Sequence, residues 1–246
     1  MRATTLAAAL AAVGEREDRG YSHLRREQEA PALVSYAEMW RRARRFAAGL
    51  QALGVRQGDR VGLILPDSAE FIDAIFGAML AGAIAVPVYP PMNLGQFDAY
   101  LANTTHILGQ AGCSVVITDA QVRPILGKLL ASAPALRVIE THAGLLKGVT
   151  ERAEPGGVVV RADDVAFLQY TGGTTGVAKG AMLTHANICS QFKHEIVPLN
   201  DHDRILSILP VWHIFERGFE MLAISRGCCT YYTNVRSLGE DIKLVK

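Results

Sequence analysis

The segment richest in chemistry is Tyr170-Thr-Gly-Gly-Thr-Thr-Gly-Val-Ala-Lys-Gly180. Its glycines, Gly172, Gly173, Gly176 and Gly180, permit backbone torsions that turn successive N–H groups to one concave side. Such a nest holds an anion. Thr171, Thr174 and Thr175 add hydroxyl donors, or one of them can ligate a metal. Lys179 brings a positive charge. A hydrogen bond to a charged group contributes ~1.5–3 kcal/mol, so a few of them hold a polyphosphate firmly.

Three familiar phosphate loops do not fit. A Walker A loop needs Gly-Lys-Ser/Thr followed by a helix, but Lys179 follows Ala178, and Gly180-Ala-Met-Leu reads as strand. The dinucleotide fingerprint GxGxxG is absent. The catalytic-loop and metal motifs that accompany a kinase glycine loop are also absent.

A loop of this kind needs a scaffold, and the flanking sequence supplies alternating strand and helix patterns. Ser35-Tyr-Ala-Glu38 reads as a capping box. After it Tyr36, Met39, Trp40, Ala43, Phe46, Ala47 and Leu50 recur at helical spacing, with Gly54 as a stop. Arg41, Arg42, Arg44 and Arg45 read as the solvated face of that helix. Strands are expected at 61–65, 83–88, 114–118, 136–139, 166–170, 205–209 and 230–233. Helices are expected at 68–80, 97–110, 121–132, 185–196 and 215–226, with a less regular connection over 144–157. The apolar stretch 5–13 reads as a first helix rather than a signal peptide. The pattern implies an α/β fold of layered, mostly parallel sheets with flanking helices.

Composition narrows the partners. Lys plus Arg is 25 and Asp plus Glu is 24, which argues against nucleic acid held by bulk charge. The four cysteines, Cys113, Cys189, Cys228 and Cys229, match no zinc spacing and read as free thiols in a reduced cytoplasm. No apolar run reaches the ~20 residues needed to span a bilayer.

The stretch Leu168-Gln-Tyr-Thr-Gly-Gly-Thr-Thr-Gly-Val-Ala-Lys-Gly-Ala-Met-Leu-Thr-His185 resembles the signature loop of the adenylate-forming (AMP-binding) superfamily. Gly172 stands where many members carry Ser, and Ala178 where many carry Pro. Both variants are familiar among long-chain fatty acyl-CoA synthetases. Leu209-Pro-Val-Trp-His-Ile-Phe-Glu-Arg217 resembles the next family motif, an aromatic–His pair after a strand at the acyl pocket. Its Phe-Glu-Arg ending is typical of long-chain synthetases. Residues 36–91 resemble the family's N-terminal region less specifically.

This resemblance implies an ATP-dependent ligase. A fatty carboxylate attacks the α-phosphorus of ATP to give acyl-AMP and pyrophosphate, and CoA then displaces AMP. It assigns Tyr170, Thr171, Gly172, Gly173, Thr174, Thr175, Gly176, Lys179 and Gly180 to nucleotide binding, with Mg2+ held near Thr174 or Thr175. It places His213 beside the carboxylate and α-phosphate, positioning them rather than transferring a proton, and makes Trp212 a gate or lining of the acyl pocket. Glu216 and Arg217 read as a local ion pair, and His185 as packing near the loop base.

The same resemblance expects further motifs: an aromatic-Gly-x-Thr-Glu segment, a ribose-binding Asp, and a small C-terminal domain with a catalytic Lys. None maps onto residues 1–246, which therefore read as an incomplete N-terminal adenylation domain. Two alternatives stay open: a fatty acyl-AMP ligase that loads a carrier protein, and a non-catalytic nucleotide-binding fragment. A cytoplasmic location, peripheral membrane contact through the apolar substrate, and a homodimer are all compatible with the sequence.

Overall fold

The computed structural model describes residues 3–24, 32–91, 97–171, 178–192 and 198–245. The first helix, α1 (Leu6–Val13), starts where the Thr5 hydroxyl accepts a bond from the Ala8 N–H at 3.1 Å. Strands β1 (Gly20–His23) and β2 (Leu33–Ser35) follow and pair antiparallel.

Helix α2 (Tyr36–Ala52) begins at the expected box: the Ser35 hydroxyl accepts from the Glu38 N–H at 3.2 Å. The Glu38 carboxylate pairs with Arg41. Of the expected apolar stripe, Tyr36, Met39, Ala43, Phe46, Ala47 and Leu50 are buried, and Trp40 is half-buried. The opposite face is not simply solvated. Arg45 donates to the carbonyls of Leu146 and Val149, each at 3.0 Å, and Arg44 pairs with Glu154. The irregular connection is thus tied to α2 by the very arginines whose charge suggests solvent.

The chain then alternates: β3 (Arg60–Ile64), α3 (Ser68–Leu80), β4 (Ile84–Pro87), α4 (Phe97–Ala111), β5 (Val115–Thr118), α5 (Arg123–Leu126), α6 (Leu129–Ser132), β6 (Val138–Thr141) and α7 (His142–Leu146). Next come β7 (Val165–Thr171), β8 (Lys179–Thr184), α8 (His185–Gln191), β9 (Arg204–Ser207), α9 (Ile214–Arg226), β10 (Cys229–Tyr232) and α10 (Leu238–Leu244). The single helix expected over 121–132 is two short ones, α5 and α6, broken at Gly127 and Lys128. Asp119 starts that region by accepting from the Gln121 and Val122 N–H groups.

The described residues form two compact units, 42–185 and 1–41 with 186–246. In the first, a six-stranded sheet has the order β6-β5-β3-β4-β7-β8, parallel except for the β7–β8 pair. Parallel neighbours need crossovers, which the alternating helices provide. One core gathers Ile64, Val86, Val116, Ile107, Leu108, Leu126 and Leu129 with Tyr170 and Ala178. In the second unit, a four-stranded sheet has the order β2-β1-β10-β9, parallel except for β2. Helix α1 packs on α9 there. Both layers are α/β, as the alternation predicts. The four cysteines are free and buried. Among the described residues, no helix is long and apolar enough to cross a membrane.

Candidate functional site

The glycine–threonine segment is the connection of an antiparallel hairpin. Strand β7 ends at Thr171 and β8 begins at Lys179, and these two residues are cross-strand partners. Both are exposed. Cross-strand partners point to the same face, so a hydroxyl and an ammonium stand together at the open end of the β7–β8 ladder. Gly172, Gly173, Thr174, Thr175 and Gly176 lie outside the described residues.

One register step inward, Tyr170 pairs with Gly180. Tyr170 is buried in the core cluster with Ala178. A Cβ on Gly180 would lie 2.8 Å from the Tyr170 Cζ atom. Gly180 therefore makes room for an aromatic ring, a role distinct from anion binding. Burial raises the Tyr170 phenol above its ordinary pKa, so it stays protonated. The return arm has another support. The His106 imidazole, on α4, is hydrogen-bonded through Nε2 to the Ala178 carbonyl at 3.3 Å. His106 carried no role in the sequence pattern, since a lone polar residue on a helix gives no signal of its partner.

The second motif sits in the other unit, on the turn between β9 and α9. The His213 N–H donates to the Pro210 carbonyl at 2.8 Å. Val211 is buried, Trp212 half-buried and His213 exposed. His213 is also the N-cap of α9, with Nδ1 accepting from the Phe215 N–H at 3.3 Å. An accepting Nδ1 needs its lone pair, so the neutral ring carries its proton on Nε2. That nitrogen is a donor suited to an oxyanion rather than a base. The Phe215 and Phe219 rings lie one turn apart, tilted at 51° with centroids 4.9 Å apart, and Phe215 and Leu209 are exposed.

Glu216 and Arg217 each reach the backbone of the turn. Glu216 accepts from the Leu209 N–H at 3.2 Å, and Arg217 donates to the Trp212 carbonyl at 3.0 Å. Glu220, one turn on, is buried and accepts from the Tyr232 hydroxyl. Desolvation pushes its pKa up to about 7 despite that bond. His185 is buried at the end of β8, where its N–H donates to the Asp164 carbonyl at 3.1 Å; desolvation lowers its pKa to about 4.

The family model for AMP-binding enzymes matches residues 20–245, a span that contains both motifs. The chain belongs to the AMP-binding enzyme family. Among AMP-binding relatives, it is 35% identical over 191 residues to a feruloyl-CoA synthase of Amycolatopsis, covering 77% of this chain and 36% of that protein. It is 33% identical over 239 residues to a long-chain-fatty-acid–CoA ligase of Salmonella typhimurium, covering 77% of this chain and 41% of that one. Among solved structures, it superimposes with a TM-score of 0.83 and 28% identity on one from a study of fatty acyl-adenylate ligases from E. coli and L. pneumophila, over 98% of this chain and 43% of that chain. The chain thus spans about two fifths of the length of these relatives.

Of the groups the family implies, a nucleotide phosphate fits the exposed Lys179 and Thr171. For Mg2+, no cluster of three or more His, Cys, Asp or Glu side chains is placed to hold a metal among the described residues. The threonines expected near the ion, Thr174 and Thr175, lie outside them.

Proposed function

We propose that residues 1–246 form the front part of the adenylation domain of a long-chain fatty acid–CoA ligase. The observation that carries this reading is the hairpin mouth, where exposed Lys179 stands across from Thr171 at the ends of the glycine-rich connection. Lys179 and the Thr171 hydroxyl hold the β- and γ-phosphates of ATP, in the loop that the family resemblance assigns to the nucleotide. Thr174 or Thr175 would hold Mg2+, which would supply neutralising charge for the phosphates.

A carboxylate is already a nucleophile, so the first half-reaction needs no strong base. Its oxygen attacks the α-phosphorus, and the bond to pyrophosphate breaks. Charge moves onto the leaving pyrophosphate, which Lys179 stabilises. In the role the family resemblance gives it, His213 orients the carboxylate and α-phosphate. In the second half, the CoA sulfur bonds to the acyl carbon, AMP leaves with the shared oxygen, and the thiol proton passes to solvent.

Exposed Phe215 and Leu209 beside Trp212 favour an apolar acid. The likeness to a long-chain ligase supports that choice, and the likeness to a feruloyl-CoA synthase names the competitor. A fatty acyl-AMP ligase that loads a carrier protein is the second reading, favoured by the structural likeness to fatty acyl-adenylate ligases. A cytoplasmic location with peripheral membrane contact accords with an apolar substrate.

The test is product analysis with the full-length protein, ATP and Mg2+, offering palmitate or ferulate and then CoA or acyl carrier protein. Palmitoyl-CoA is the expected product. Feruloyl-CoA alone would overturn the fatty-acid assignment, and palmitoyl-carrier with no palmitoyl-CoA would move the protein to the second reading. Nucleotide binding by the full-length protein without any acyl transfer would leave only a non-catalytic binding module.

A further inference from the structure

The turn that carries Trp212 and His213 lies between β9 and α9, and two buried charged side chains reach its backbone. Glu216 and Arg217 are 7% and 0% exposed. Burying a charge costs several kcal/mol unless it is well hydrogen-bonded (roughly, for a real protein). Here each of the two charged groups makes a hydrogen bond to a backbone atom of the same turn. The Glu216 carboxylate takes the Leu209 N–H at 3.2 Å, on the strand side, and the Arg217 guanidinium gives to the Trp212 carbonyl at 3.0 Å, on the helix side. Two backbone bonds close the turn between them, from His213 N–H to the Pro210 carbonyl and from Arg217 N–H to the His213 carbonyl. Bonds to ionised partners are roughly twice as strong as neutral ones.

We propose that Glu216 and Arg217 are positioning residues that clamp the Leu209–His213 backbone, so that Trp212 and His213 are presented on a fixed turn. As adjacent residues they reach opposite ends of the turn, which a mutual ion pair would not achieve. The functional half of this inference rests on the reading that Trp212 and His213 serve the acyl site. The clamp itself does not depend on that reading.

The chain has two tryptophans, so Trp40→Phe leaves Trp212 as the only indole in residues 1–246. Acrylamide quenching of Trp212 is measured in that background for Glu216→Ala, Glu216→Gln and Arg217→Lys. Glu216→Gln keeps an acceptor oxygen for the Leu209 N–H; Arg217→Lys keeps a charge but loses the planar fork. Quenching should rise about twofold in Glu216→Ala and Arg217→Lys as the turn opens locally, and stay at the parent level in Glu216→Gln. Equal quenching in all three, with parent-like circular dichroism, overturns the clamp. If Arg217→Lys does not fold, the contrast between Glu216→Ala and Glu216→Gln decides alone. In the full-length protein, Glu216→Ala should raise KM for fatty acid and leave KM for ATP unchanged. Raised quenching with an unchanged fatty-acid KM keeps the clamp and overturns its link to the acyl site.

Discussion

Tyr170 and Gly180 are partners across the β7–β8 ladder, and the tyrosine ring occupies the space that a side chain on residue 180 would need. The nearest ring atom, Cζ, is 2.8 Å from an ideal Cβ there. Since Tyr170 is packed into the core, the ring cannot swing away freely. Gly180→Ala should therefore cost about 1–3 kcal/mol, as overpacking does. In a Tyr170→Leu background, where the ring is gone, the same change should cost clearly less. Urea unfolding of the four proteins in this double-mutant cycle measures the coupling. A Gly180→Ala penalty that is the same in both backgrounds would show that the ring is not the cause.

His213 caps α9 as well as carrying the proposed chemistry, and two substitutions separate these roles. Asn is a good N-cap and Ala a poor one, so His213→Ala should lose about 1 kcal/mol and His213→Asn little. In the full-length protein both should lower kcat/KM for adenylation by about 10–100-fold, the loss of one bond to a charged group. Thermal melts and pyrophosphate exchange check the two halves. Full activity in His213→Asn would reduce His213 to a cap.

Two buried groups make stability depend on pH with opposite signs. His185 has its pKa lowered from 6.5 to about 4 by desolvation. Between those values the unfolded chain binds the proton more readily, so its contribution is full above 6.5 and lost as pH falls toward 4. Glu220 has its pKa raised from 4.5 to about 7, again by desolvation. There the folded chain holds the extra proton, so its contribution is full below 4.5 and lost as pH rises toward 7. Each window is worth about 3 kcal/mol at most. The two contributions oppose each other between pH 4.5 and 6.5. Glu220→Gln should unmask a rise of stability with pH over that range relative to the parent, and His185→Gln a fall. Urea midpoints from pH 4 to 8 measure both, and parallel profiles in all three proteins would contradict the assignment.

The layered α/β class with mostly parallel sheets was legible because apolar strands alternate with amphipathic helices, and the α2 stripe from Tyr36 to Leu50, Trp40 excepted, is buried where its spacing places it. Short pieces were not legible. β1, β2 and α7 are too brief to show a period, and the split between α5 and α6 hangs on a local break at Gly127. At the candidate site, residue types gave Lys179 and Thr171 as phosphate contacts, and the fold adds that they are register partners. The partners of Arg45, Glu216 and Arg217 were hidden for a common reason. Each is a charged side chain whose target is a backbone carbonyl or amide, and a backbone atom leaves no mark in a sequence pattern. His106 and Ala178 illustrate the same limit over 72 positions.

The central claim is that Lys179 binds the phosphates of ATP while a fatty acid is adenylated. Lys179 is exposed, so Lys179→Ala should change stability by less than about 0.5 kcal/mol. The most direct measurement is palmitate-dependent ATP–pyrophosphate exchange by the full-length protein and by its Lys179→Ala variant. Palmitate should drive exchange in the parent, and the variant should lose about 10–100-fold in kcat/KM for ATP with an unchanged melting temperature. No palmitate-dependent exchange in the parent, or an undiminished rate in the variant, would contradict the account.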